Sequence, residues 1–496
     1  MSAMSGGLKP LREPLTGAPT HAAYTRAMPK AMTWRLLAAV AFLVVVASAC
    51  APPSVARAAK PVLDEPPREE PYPREALAAA RVTRAGCDLE GDVPSGGGFS
   101  PDLDLRGDPS FDPADLPADV LCWYETLWDV VSDPDRAAYF TRRAQRADLY
   151  TYSREVNNHL VALFTAFRVT GDLALLDEID RLGQHMRAQL DDAWQGRASR
   201  DDGAADGYLN WVWDQDNSDE HRGRDVHEID EMRTHSMIAQ LAYAYAANAD
   251  LQSPNGVDYA ERAAFWTEYL RDHFEAKWRE RNDVPWPRFP FLERPHLHET
   301  VEFARYHHYM HLLTGEEAYA EEARRLSRVS YENFREAETP SGPALVTPRS
   351  VLSMGGSLEY LLPSIYFRHV VATVVDLHFE GVEPWSDDEV MVKLARTLSE
   401  FILDGEGNGY GRDVGGGRSR AGIEASGERD WSRISTGVYN ISAFALLAAW
   451  DDSGEVAEVS VAVHDHRGER EKSVFVPSGL LLWAALGEEA LAAGGD

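Results

Sequence analysis

Long apolar runs are scarce in this chain. The longest, LLAAVAFLVVVASA at 36–49, has fourteen residues, short of the roughly 20 that cross a bilayer. Alternating β-branched runs are equally few from residue 113 onward, which argues against a domain built of sheets. Positive charge is in deficit: 49 Lys and Arg face 80 Asp and Glu, a formal net charge of −31. Nucleic acid is thereby excluded, since its binding needs a basic footprint. Cysteine is almost absent, with Cys50, Cys87 and Cys122 the three present. No HExxH occurs. Although RPHLHETVEFARYHH holds four histidines, His307 and His308 are adjacent and face different ways on a helix. No metal and no cofactor are expected.

What is present divides the chain into three. Residues 1–49 combine Arg35, the fourteen-residue apolar run and small residues, the pattern of a signal peptide. ASAC at 47–50 resembles a bacterial lipobox, which would lipidate Cys50; plain cleavage after Ala49 is the alternative. Met28 and Met32 are further candidate starts. Removing 1–49 takes away Lys9, Arg12, Arg26, Lys30 and Arg35 against Glu13, so the mature chain stands near −35. Residues 50–112 are rich in Pro, Ala, Gly and charge, a composition that reads as a tether to the membrane. Cys87 in the tether and Cys122 in the first helix either pair in an oxidising compartment or stay as free thiols. Residues 113–496 form the folded domain.

Within that domain, apolar segments end at Gly171, Asn248, Gly315, Gly381 and Asp452, at intervals of 77, 67, 66 and 71 residues. Most are followed by a charged amphipathic helix, such as LALLDEIDRLGQHMRAQL, and Ser386 and Glu389 are spaced as a capping box for one of them. An apolar inner helix with an amphipathic outer partner, repeated, predicts an all-α fold. The expected form is an (α/α) toroid of five or six helical hairpins, with a small β-hairpin near the C-terminus in 453–476.

Counting back thirteen positions from each stop gives Asn158, His235, Glu302, Arg368 and Tyr439. Equal distance from equivalent stops means equal height, so these groups are expected to ring one end of the inner helices. Polar residues also gather at helix starts simply to cap them. Nearby, His298, Arg305 and Tyr306 enrich the set, and Trp211 and Trp213 in GYLNWVWDQDN suit either sugar stacking or a packed lid. Amide, imidazole, guanidinium and phenol together fit β-elimination on a uronic acid. Cations and amides neutralise the carboxylate and stabilise the enolate-like transition state, and Tyr or His moves the protons.

Three stretches, NNH at 157–159, His235 in RTHSMIAQLAYAY, and YHHYMHLL from Tyr306, resemble the alginate lyases and related α/α-toroid polysaccharide lyases. The resemblance spans about 113–450. It implies that Asn158 and His235 neutralise the substrate carboxylate and that Tyr306 is the acid and base. It also implies substrate contacts for Arg305, His298, Glu302, Arg368, Tyr439 and Trp211. The family's arginine about two helical turns before the tyrosine is missing, with Glu299 and Thr300 in its place. His298, Arg305 and Arg368 are the candidates to replace it.

Two other functions fit the same layout. A glycoside hydrolase would use paired carboxylates, from Asp230 or Glu231 and Glu299 or Glu302. A lipoprotein could capture glycans without cleaving them. The expected partners are an acidic polysaccharide and, through the lipid anchor alone, a bacterial membrane. The chain is expected to act as a monomer in the periplasm or at the cell surface.

Overall fold

The computed structural model describes Cys87, residues 101–191, 207–212, 228–281, 287, 296–354, 362, 364–402, 443–466 and 474–493. All of them belong to one compact unit, Val62–Asp496. That unit is mostly helical. Its helices are α1 (Ala118–Ser132), α2 (Pro134–Ala144), α3 (Asn157–Thr170), α4 (Leu173–Arg187) and α5 (Glu228–Ala247). There follow α6 (Tyr259–Glu268), which passes through a wide π-turn (Tyr269–Glu275) into α7 (Ala276–Arg281), then α8 (Leu297–Thr314) and α9 (Glu317–Tyr331). After a two-stranded sheet come α10 (Ser364–Phe379), α11 (Asp388–Thr397), a tight 3-10 helix (Ala445–Trp450), α12 (Glu455–His466) and α13 (Phe475–Ala493). Among the described residues no helix is long and apolar enough to cross a membrane.

The acidic composition is partly spent on helix starts. Asp133, Asp172, Asp258 and Asp387 each accept a hydrogen bond from a backbone N–H one to three residues into α2, α4, α6 and α11, satisfying donors that a helix leaves free. Asp387 therefore caps α11 in place of the expected Ser386. At the other ends, Gly171, Gly315 and Gly381 adopt φ of +66°, +70° and +68°, the left-handed stop that glycine adopts at least cost. These are the stops that α3, α8 and α10 have in common.

The helices alternate in burial as an apolar and an amphipathic series. Every residue of α3 is buried except Asn158, and α4 is buried along most of its length, whereas α9 buries one face and leaves Glu317, Glu321, Arg324 and Arg328 exposed. The buried series is joined side to side: α3 packs on α5, α5 on α8, α8 on α10, α10 on the 3-10 helix, that helix on α13, and α13 back on α3. The other series lies against it, with α4 on α3, α6 on α5, α9 on α8, α11 and α12 on the 3-10 helix, and α1 on α13.

The hairpin of strands lies elsewhere than expected. Residues 455–466 are α12, with Val456, Ala457, Val459 and Ser460 buried and Glu458 exposed. Its start is fixed by the Asp451 carboxylate, which accepts from the Val456 N–H at 2.7 Å. Burial of a helical face outweighs the weak helix preference of valine here. The strands are β1 (Arg335–Thr339) and β2 (Gly342–Val346), antiparallel and paired Arg335 with Val346 through Thr339 with Gly342. Thr397 of α11 holds β2, its Oγ1 donating to Leu345 O at 2.7 Å.

Residues 103–112, assigned to the tether, are part of the folded unit. Leu105 is buried. Asn248 Nδ2 donates to Leu105 O at 2.7 Å, and the Gly107 N–H donates to Asn248 Oδ1 at 2.7 Å. The Asp108 N–H donates to Gly171 O at 2.8 Å. A Cβ on Gly107 would lie 2.4 Å from Leu173 Cδ2, so any larger residue there would have to displace the Leu173 side chain. This strap crosses the C-terminal ends of α3 and α5. A disulfide between Cys87 and Cys122 secures it further, with Cα atoms 5.7 Å apart. Closing a loop of 35 residues constrains the unfolded chain by about 3–4 kcal/mol. A Cys87→Ala/Cys122→Ala variant should therefore melt several degrees below wild type in calorimetry. Equal melting temperatures would mean that the strap bonds alone hold this end.

Candidate functional site

At the N-terminal end of the buried series, polar side chains from four elements meet. Arg233 of α5 is the centre. Its guanidinium donates to Glu302 Oε1 of α8 at 3.4 Å, to Asn158 Oδ1 of α3 at 3.4 Å, and to His369 Nε2 of α10 at 3.3 Å. Arg368 Nε also donates to His369 Nε2, at 3.4 Å. That nitrogen accepts twice, so His369 carries its proton on Nδ1. Arg305 closes the group, donating to Glu302 Oε2 and to Ser236 Oγ, both at 2.7 Å. Asn157 steadies the centre by donating to the backbone carbonyl of Arg233 at 3.3 Å.

Three of the five positions in the thirteen-residue column, Asn158, Glu302 and Arg368, come together here. His235 does not, and the reason is register. Helix α5 has no glycine stop; it runs to Ala247, and Asn248 ends it by donating to Ala244 O at 2.7 Å. Without that glycine the count is off by two residues, and Arg233 is the residue of α5 that meets Asn158 and Glu302. Two residues turn a helix by about 200°, so the residue facing the group is Arg233 and His235 faces the opposite way. Tyr439 lies outside the described residues, as do Trp213 and Cys50.

His235 sits between α5 and the outer layer. Its Nδ1–H donates to Glu231 O at 2.7 Å, and Nε2 accepts from the Tyr269 hydroxyl at 2.9 Å. Phe274 stacks on the ring at 3.8 Å. Burial, then Lys277, hold it neutral far below the usual histidine range. Tyr306 lies in the same layer across Phe274, 5.5 Å between rings. Its hydroxyl donates to Glu275 Oε1 at 2.8 Å, an oxygen that Tyr319 also reaches at 2.8 Å. Burial raises Tyr306 well above the usual tyrosine range and pushes Glu275 up to about 8. Trp211 is fully buried, donates to Met186 O at 2.9 Å, and packs on Tyr152, Trp266 and Tyr269. None of these three reaches the Arg233 group.

Charge at the group runs against that of the whole chain. Arg154, Arg233, Arg305, Arg349 and Arg368 are gathered around Asp230, Glu299 and Glu302. Burial lowers Arg233 to about 10, with Arg154 and Arg305 adding to the effect against the attraction of Glu302. His298 and His369 are pushed far below the histidine range, first by burial and then by the surrounding cations. Asn158, Arg154, Arg368 and Tyr366 remain partly exposed and give the group its outer rim. His298 stacks on Tyr366 at 4.5 Å, and Arg349 lies over the same tyrosine at 4.9 Å.

Three of the carboxylates put forward for hydrolysis, Asp230, Glu231 and Glu302, are held by cations or donors. Asp230 accepts from Ser153 at 2.5 Å and Arg154 at 3.2 Å. Glu231 is paired with Lys277 and accepts from Trp278 at 3.2 Å. Glu302 lies between two guanidinium groups. Further along the helices a second ionic group closes the far end. Arg168 donates to Asp376 at 2.8 Å, Tyr309 at 2.8 Å and the strap carbonyl Leu103 O at 2.8 Å, and pairs with Glu380. A small cavity lined by Phe164, Arg168, Gln240, Arg305 and Asp376 separates the two groups.

No family model, no curated protein and no solved structure matches the chain.

Proposed function

We propose that this protein is an (α/α)-toroid polysaccharide lyase that cleaves a uronic-acid-containing polymer by β-elimination. The cyclic order of neighbours, α3–α5–α8–α10–3-10 helix–α13–α3, supports a toroid of six hairpins. The reading extends to a secreted protein held to a bacterial membrane by a lipid on Cys50, acting on its polymer without a cofactor.

One observation carries the functional reading: a buried arginine, Arg233, joined to Glu302, Asn158 and His369, in a group where five guanidinium groups face three carboxylates, inside a chain of net charge −31. Such a local excess of fixed cations is costly to bury unless an anion is its partner. A uronate carboxylate supplies that anion. Once bound, its charge is neutralised by Arg233 with Asn158 and the rim cation Arg368, which acidifies the neighbouring C–H. Donors fixed before the reaction stabilise the enolate-like transition state without reorganising. The hydrolase alternative needs a protonated carboxylic acid beside the scissile bond. Glu275, whose affinity for a proton is raised, is shut between Tyr306 and Tyr319, away from Arg233.

The test is absorbance near the ultraviolet band of an unsaturated uronate. The protein is incubated with alginate blocks, glucuronan, hyaluronan, chondroitin and pectate. Elimination leaves a carbon–carbon double bond conjugated to the carboxylate, and hydrolysis leaves none. A rise on one polymer is the expected result. New reducing ends without absorbance would transfer the reading to a hydrolase, and no product of either kind would leave a glycan-binding protein.

A further inference from the structure

We infer that His298 is the group that takes the proton from the carbon beside the substrate carboxylate and returns it to the leaving glycosidic oxygen. The inference rests on the lyase reading and names the acid and base that Tyr306, turned to the outer layer, does not supply at the Arg233 group.

The starting observation is an unmet histidine. Neither ring nitrogen of His298 has a hydrogen-bond partner, and its side chain is 1% exposed. A buried polar group left in that state costs about 1–3 kcal/mol. Among the described residues no other imidazole has both nitrogens buried and unpartnered. The histidines that serve packing look different: His235 and His307 each have both nitrogens bonded, His307 to Phe303 O at 2.6 Å and Pro287 O at 3.0 Å. A ring held in place with nothing to bond in the free protein is suited to a partner that arrives with the substrate.

Its surroundings fix its protonation. From its own helix it faces Glu299, with Nε2 3.9 Å from the carboxylate, and His296, stacked at 5.7 Å. From α5 comes Arg233, from a second π-turn (Tyr152–Val156) that leads into α3 comes Arg154, from the segment after β2 comes Arg349, and from α10 come Tyr366 and His369. The cations outnumber Glu299, and burial acts in the same direction, so the free ring is neutral and one nitrogen carries a lone pair. The bound carboxylate brings a negative charge beside it and favours the imidazolium that forms on proton transfer. The electrons of the broken C–H bond become the new carbon–carbon double bond, the bond from the next carbon to the glycosidic oxygen breaks, and the imidazolium protonates that oxygen. Tyr366 covers one face of the ring and is itself half-buried. Substrate must part the two to reach His298.

The experiment is steady-state kinetics of wild type, His298→Gln and Arg349→Gln on the polymer that gives ultraviolet absorbance, across pH 4–9. A positioned acid and base contributes about 10²–10⁴-fold. His298→Gln should therefore lose at least about 100-fold in kcat, with KM within about threefold and an unchanged melting temperature. Wild type should hold its rate to a lower pH than an ordinary histidine allows. Arg349→Gln, which removes a cation facing the ring, should move that acid limb upward. A wild type that eliminates while His298→Gln keeps its kcat, or an acid limb unmoved in Arg349→Gln, would overturn the assignment and leave the lyase reading intact. A wild type that eliminates on no polymer would overturn both.

Discussion

Tyr306→Phe should leave the elimination rate within about threefold of wild type, while Arg233→Lys should cut it by about 100-fold or more. That is the reverse of what the resemblance to α/α-toroid lyases implies on its own. Arg233 uses three nitrogens on three partners, Glu302, Asn158 and His369, a spread that one ammonium cannot reproduce. Lysine keeps the charge, so Glu302 is not stranded beside an empty site and the fold should survive. What is lost is the network that fixes Asn158, His369 and the guanidinium around the proposed carboxylate site, and removing one preorganised donor typically costs about 10²–10³ in rate. Tyr306 by contrast gives its hydroxyl to Glu275 in the outer layer. Phenylalanine there should cost about 1–3 kcal/mol of stability by leaving a buried acceptor short of a donor, and little in kcat. Rates and melting temperatures of the two variants separate the roles. A collapse of kcat in Tyr306→Phe at normal stability would restore the tyrosine to the chemistry.

The contrast also explains which parts of the molecule were legible in the sequence. The helical pairs were readable because TGD and TGEE place glycine where α3 and α8 need a left-handed stop. Column counting from those stops then put Asn158, Glu302 and Arg368 at one height, and they do meet. It failed at α5, where Asn248 ends the helix with a side-chain bond and no glycine marks the register. Two residues of slip exchanged Arg233 for His235, which a helix turns to opposite faces. The polar neighbours of Trp211 suit sugar stacking or a packed lid equally, and the choice comes from long-range packing: its ring fills the space between α4 and α6.

Nothing local in a Pro/Gly-rich stretch distinguishes a free tether from a strap. Its order at 103–112 comes from long-range bonds to Asn248 and Gly171 that composition does not encode. The β-hairpin was misplaced for a related reason. Valines at 456, 459 and 461 suggest strands, but a buried face and the Asp451 cap select a helix. EAETPSGPALV holds its turn signal in Pro340–Gly342 beside poor strand formers, and α11 completes the pairing by holding β2.

Glu275→Gln should make the protein more stable than wild type above pH 8 and remove a pH dependence that wild type shows between about 4.5 and 8. The Glu275 carboxyl is buried at the end of the π-turn after α6, and burial raises it from 4.5 to about 8 despite the hydroxyls of Tyr306 and Tyr319 and the cations Arg279 and Arg271. An unfolded chain releases this proton near pH 4.3, whereas the folded protein keeps it to about 8. The folded state binds more protons throughout that interval, so stability falls as pH rises. The contribution is complete below pH 4.5 and gone above pH 8. Each pH unit of the interval corresponds to about 1.4 kcal/mol, so the full effect is on the order of several kcal/mol. Glutamine is neutral at every pH and its carbonyl still accepts from both tyrosines. Other groups titrate in both proteins, so the informative quantity is the difference between wild-type and Glu275→Gln melting temperatures at pH 5, 6.5, 8 and 9. That difference should widen with pH in favour of the variant and level off above 8. Parallel curves would mean that Glu275 is ionised throughout, held by Arg279 and the two phenols. The π-turn would then be a structural ion-pair site with no proton of its own to lose.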